Sequence, residues 1–135
     1  MVRQRVVDAE ISLSTQARNV RVGLPYTSQV IPTRLDLNLP TGTTLGSIKR
    51  IPEIVVNFHE TLNAKFGSSE KKLKDFDWTN VRWKNTSKIE GLFSGDITVA
   101  FDGGFNTDDI IIISQDDPLP CTVRAIIPRV EKAGR

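Results

Sequence analysis

Apolar and polar residues alternate with a period of two along much of this chain, and each such run predicts a half-buried β-strand. The first are EISLS, Glu10 to Ser14, and NVRVG, Asn19 to Gly23. Leu24-Pro25-Tyr26 interrupts the pattern, and SQVIPTRLDLNL restores it through Val30, Leu35, Leu37 and Leu39. Pro32 confines that strand to an edge or a bend, because proline cannot donate to a ladder. By composition PTGTTLG, Pro40 to Gly46, is a loop.

Ile51 to Gly67 fits two periods. With period two, Ile54, Val56, Phe58, Leu62, Ala64 and Phe66 share one face and only Glu60 is out of place. With the helical period, Ile51, Ile54, Val55, Phe58, Leu62 and Phe66 also align, with Pro52 suited to a first turn and Gly67 to a stop. The β-branched run IVVNF favours the strand. Residues 67–92 are polar and lysine-rich but carry Phe76, Trp78 and Trp83, which makes this stretch a long excursion anchored by its aromatic residues. GDITVAF, Gly95 to Phe101, predicts a strand with Ile97, Val99 and Phe101 on one face, and DGG at 102–104 predicts a turn. Asp109 to Ser114 is continuously apolar between its ends and predicts a strand buried on both faces. In CTVRAIIPRV the expected inward set is Cys121, Val123, Ala125 and Ile127. Strands outnumber any helix, so the expected fold is all-β, an antiparallel β-sandwich or partly closed barrel with one long loop excursion, in a single domain over residues 1–135.

At 135 residues, 39% apolar and 25% charged, the chain fits one ordinary globular core. No run approaches the roughly 18 apolar residues of a spanning helix, and MVRQRVVDAE has no apolar block for a signal peptide. One cysteine and one histidine leave no internal disulfide and no zinc ligand set. The net charge of +2 argues against a dedicated nucleic-acid binder. Its distribution is uneven: residues 1–67 carry a balance of +3, while 93–123 hold six aspartates and no basic residue, a balance of −6. Separated charge of this kind suits pairing between copies, with Arg18, Arg21, Lys49 and Arg50 facing Asp108, Asp109, Asp116 and Asp117.

The stretch DDIIIISQDDPLPCTV tests whether those aspartates form a site. At about 3.3 Å per residue the pairs Asp108-Asp109 and Asp116-Asp117 stand about 20 Å apart, too far to share a metal or a proton. DGGFNTDD lacks the alternating carboxylates and terminal glutamate of a calcium loop. Turn chemistry accounts for QDDPLPC: Pro118 presets φ, the preceding aspartate accepts backbone hydrogen bonds, and the loop is expected to close a hairpin between IIII and CTVRAII. Cys121 reads as a small buried hydrophobe, and a hydrolytic triad would rest on His59 alone. No nucleophile-elbow, phosphate-loop or dinucleotide motif is present, so no enzyme, cofactor or metal is expected.

Three segments, taken in order, carry a resemblance: VGLPYTS (Val22 to Ser28), KRIPEIVVNFHETLNAKFG (Lys49 to Gly67) and LFSGDITVAFDGGFNTDDIIIISQDDPLPCTVRAIIPRVE (Leu92 to Glu131). Together they resemble the C-terminal region of tail tubular or nozzle proteins of short-tailed bacteriophages, over about residues 20–131. In that family a V-G-x-P-Y-T-S segment precedes a strand, a basic K-R-I strand and a G-D strand follow, and a D-x-P-L-P-C hairpin lies near the end. The family's proteins are several times longer, with other domains ahead of this region. The resemblance favours the strand reading of 51–67. It implies a virion tail component made in the bacterial host cytoplasm, with copies of itself and other tail proteins as partners. In the full-length proteins six copies form a ring or tube through which DNA passes without specific binding. It implies no membrane and no small-molecule substrate. The rival reading from the residues themselves is a carbohydrate-binding β-sandwich with Tyr26, Trp78 and Trp83 as stacking platforms.

Overall fold

A computed structural model describes residues 7–8, 10–13, 16, 20, 22–24, 26–40, 42–78, 92–108 and 110–132. Its strands are β1 (Ser28–Val30), β2 (Asn38–Leu39), β3 (Gly42–Thr43), β4 (Lys49–Thr61), β5 (Lys65–Gly67), β6 (Lys74–Asp75), β7 (Phe93–Ala100), β8 (Ile112–Gln115) and β9 (Thr122–Lys132). A single 3₁₀ turn, Glu70–Lys72, is the one helical element among the described residues. β7-β4-β9 form a three-stranded antiparallel sheet and β1-β8-β5-β6 a four-stranded one, and the two pack together as a β-sandwich, the expected class. β2 and β3 make a separate hairpin.

β4 is the strand that the ambiguous segment becomes, and it is the centre of its sheet. Ile51, Ile54, Val56 and Phe58 on its inner face are at most 1% exposed, and with Ala64, Phe66, Phe76, Phe93, Ile97, Phe101, Ile111 and Ile113 they form the core. The period-two set fails at its one irregular position. Glu60 adopts φ 45°, and the pairing with β7 shifts between Phe58 and Thr61. The added residue turns Thr61 inward and leaves Leu62 half-buried, so the chain bends out of one sheet and re-enters the other as β5 with Phe66 inside. A helix over the same residues would have left both neighbours of β4 without a partner for their backbone groups.

β7 places Ile97 and Phe101 in the core, as its alternation predicts, and β8 is buried throughout. Three expectations are corrected. Ile112 to Gln115 and Thr122 to Lys132 do not form a hairpin: β8 pairs with β1 and β5, β9 pairs with β4, and the Asp-Asp-Pro-Leu-Pro loop crosses between sheets. A strand buried on both faces needs partners on both edges, and β8 takes them from its own sheet. In β9, Cys121 and Val123 point inward, but Ala125 and Ile127 face solvent. Asn57 pairs with Ala125 while Phe58 pairs with Val123, so Arg124 is an extra residue that reverses the faces and puts Ile126, Pro128 and Val130 inside. Third, the described residues of Glu10–Ser14 and Asn19–Gly23 lie in no sheet, apart from an isolated bridge between Val7 and Glu10. Residues 40–46 also hold more order than a loop, since Gly42 at φ 110° lets β2 turn into β3.

Phe58→Ala is expected to lower stability by about 3–5 kcal/mol, since a fully buried ring would leave a cavity among other rings. Glu60→Gly is expected to raise it by up to about 1 kcal/mol, because glycine reaches positive φ without the steric cost. Urea denaturation followed by circular dichroism checks both.

Candidate functional site

The bulge in β4 gathers the chemistry-bearing residues of the chain. His59, Glu60 and Thr61 lie beside Ser94 on β7 and Thr122 on β9. Ser94 Oγ accepts the Glu60 N–H at 2.9 Å and lies 3.4 Å from His59 Nδ1. Thr61 Oγ1 accepts the Thr122 N–H at 3.0 Å and lies within reach of the His59 and Thr122 carbonyls at 3.1 and 3.3 Å. Each hydroxyl therefore satisfies backbone groups that the bulge frees from the ladder. A nucleophile-base pair of serine and histidine needs a closer, freer hydroxyl and an orienting group on the second ring nitrogen. The geometry instead makes Ser94 and Thr61 supports of the bend.

Cys121 is half-buried beside this cluster. Burial pushes its thiol pKa up, and the Thr61 hydroxyl beside it pulls more weakly the other way. The expected role as a small apolar side chain fits this setting, because the nucleophilic thiolate is the disfavoured form.

The acidic residues that suggested a subunit contact are largely engaged within the chain. Asp108 pairs with Arg34 at 3.1 Å, Asp116 with Lys65 at 3.0 Å, and buried Asp117 accepts a hydrogen bond from Asn63 Nδ2 at 2.8 Å. Asp96 accepts one from Asn57. On the basic side, Arg50 pairs with Glu131 at 2.8 Å and lies over the Phe105 ring, 5.1 Å from its centre. Lys49 is 1% exposed, and its ammonium donates to the Leu35 carbonyl at 3.0 Å. A lysine so enclosed is a cross-brace within the subunit. Arg18, Arg21 and Asp109 lie outside the described residues, and so does Trp83. No group of three histidine, cysteine or carboxylate side chains suited to a metal occurs among the described residues.

Trp78 takes the anchoring role. Its ring packs on Phe58, Phe76 and Phe93 at centre distances of 5.4, 5.9 and 5.8 Å, closing the core from the side of the excursion. Tyr26 is exposed and stands apart from that cluster. Two shallow hollows, of about 30 and 40 Å³, lie at Phe66, Lys72 and Phe101 and at Pro32, Ile111 and Pro128. Each has room for about one water, far below the few hundred Å³ of a small-molecule site.

Leu45, Ile48 and Phe105 are exposed apolar residues that periodicity did not mark. Asn106 exchanges backbone hydrogen bonds with Lys49 at 3.0 and 2.8 Å, which sets Phe105 opposite Arg50. Buried Thr44 accepts the Leu37 N–H at 2.9 Å and donates its own N–H to the Leu37 carbonyl at 3.2 Å.

No family model and no curated protein matches this chain.

Cys121 generates a pH prediction. Its folded pKa is raised, so the fold holds the proton more tightly than the unfolded chain does. This contribution to stability is complete below the ordinary thiol pKa and is lost as pH rises through the raised value in the fold. Urea midpoints are expected to fall across that alkaline window, and Cys121→Ala is expected to remove this part of the slope. The folded thiol should also react with dithionitrobenzoate more slowly than the thiol in denatured protein.

Proposed function

We propose that this protein is a structural module of a bacteriophage tail, of the tubular or nozzle kind, contributing to the ring or tube through which DNA leaves the capsid. The observation that carries this reading is where the resembling segments fall. Val22 to Ser28 leads into β1, Lys49 to Gly67 is β4 and β5, and Leu92 to Glu131 contains β7, β8 and nearly all of β9. The resemblance thus coincides with the frame of both sheets, in the same order, and not with isolated turns.

A structural role, as opposed to a catalytic one, is part of the proposal. It is supported by the use made of the reactive side chains: Ser94, Thr61 and Asp117 satisfy neighbouring groups, and Cys121 is held as a thiol. Near-neutral charge suits a wall past which DNA slides without being held. The proposed setting is the virion tail, with other tail proteins and further copies of the chain as neighbours.

Mass spectrometry of density-purified virions from a host carrying the gene tests this. Peptides spanning β4 and β9 are expected in the tail fraction at the copy number of a ring component. Their absence from infectious particles would overturn the assignment.

A further inference from the structure

We infer that β1, with Gly23 ahead of it, is a strap that opens and closes on the edge of β8 while both sheets stay folded, and that the contact of Gly23 with Pro118 is its latch. A strand pairing and a close approach tie the strap to the body. β1 is the outermost strand of its sheet and pairs with β8, Ser28 with Gln115, Gln29 with Ser114 and Val30 with Ile113. Further up the chain, Gly23 lies so near the crossing loop that a Cβ on it would stand 2.8 Å from the Pro118 Cβ. Carbon atoms attract at about 3.5–4.0 Å, so at this distance one side must move.

The loop is the side that holds still. Asn63 Nδ2 donates to Asp117 Oδ2 at 2.8 Å, Gln115 Nε2 donates to the Leu119 carbonyl at 3.1 Å, and the Leu62 N–H donates to the Pro120 carbonyl at 3.0 Å. The Leu119 N–H also donates to the Asp117 carbonyl at 2.7 Å, which closes a three-residue turn around Pro118. Asp117 and Leu119 are both buried, so the proline ring is carried on two fixed neighbours. The strap has no comparable hold, since all three residues of β1 are exposed.

β8 stays in place without β1. Its four residues are buried, and on its other edge Ile112, Ile113 and Ser114 pair with Gly67, Phe66 and Lys65 of β5. Phe66 and Ile113 belong to the core, and neither belongs to the strap. Opening the strap therefore gives up three residue pairs and leaves the aromatic stack closed. Segments held by so few buried contacts open at a lower free energy than the body that carries them. Such an opening uncovers the backbone edge of β8, a row of donors and acceptors able to pair with another strand. The inference does not depend on the tail assignment, because it concerns motion within one chain.

Hydrogen–deuterium exchange of the full chain, read by mass spectrometry, tests it. Peptides over β1 are expected to show protection that is lost through a local opening and is unaffected by low urea, while those over β4 and β9 exchange through global unfolding. Gly23→Ala is expected to speed exchange over β1 about tenfold and to leave β4 and β9 at wild-type rates. Pro118→Gly removes the ring that the new methyl would meet, and in that background Gly23→Ala is expected to add nothing further. The proposal is overturned if β1 shows no protection, if it exchanges together with β4, or if Gly23→Ala leaves it unchanged. Acceleration of every strand alike, or an equal effect of Gly23→Ala in both backgrounds, would also overturn it.

Discussion

The ring of Phe58 is where the two sheets and the excursion after Gly67 meet, and much of the structure depends on keeping it covered. It stands on the inner face of the central strand, edge-on to Phe76 at 5.1 Å and tilted against Trp78 at 5.4 Å. Phe66, on the other sheet, continues the stack through Phe76 at 4.7 Å. Aromatic rings of this size contribute most of the apolar area a small sandwich can bury. Here they also join segments that are distant in sequence. Phe76 and Trp78 thus bring the stretch after Gly67 onto the core, although its composition is that of a surface loop.

Covering that ring imposes a geometric problem which the two bulges solve. β4 must be central in one sheet and then hand the chain to β5 in the other, so the direction of its inward face has to change at its end. Glu60 at positive φ makes the change, and Ser94 and Thr61 satisfy the backbone groups left over. On the other side Arg124 adds a residue to β9, which keeps both Val123 and Ile126 against the core as the strand twists past β4. Ser94 and Thr61 stand at this joint beside His59 because the bend frees backbone groups that their hydroxyls satisfy.

How much could be read from the chain differs by element. β7 and the buried β8 were legible because their alternation, or their lack of it, is uninterrupted over the whole element. For β4 the pattern identified the strand and marked Glu60 as irregular, without indicating that the irregularity turns the chain from one sheet to the other. The faces of β9 were legible only as far as Arg124, since one inserted residue inverts every position after it. The charge asymmetry was real in sequence, but most of its described members are paired inside the subunit.

By itself the sequence determined the class of fold: period-two runs separated by proline and glycine leave few alternatives to stacked antiparallel sheets, because backbone pairing and one-sided burial must both be met locally. Only the tertiary structure decided which strands are neighbours. The Asp-Asp-Pro-Leu-Pro stretch suits a hairpin as well as a crossing, and pairing across a sheet is set by the summed burial of all strands at once, which no local segment encodes.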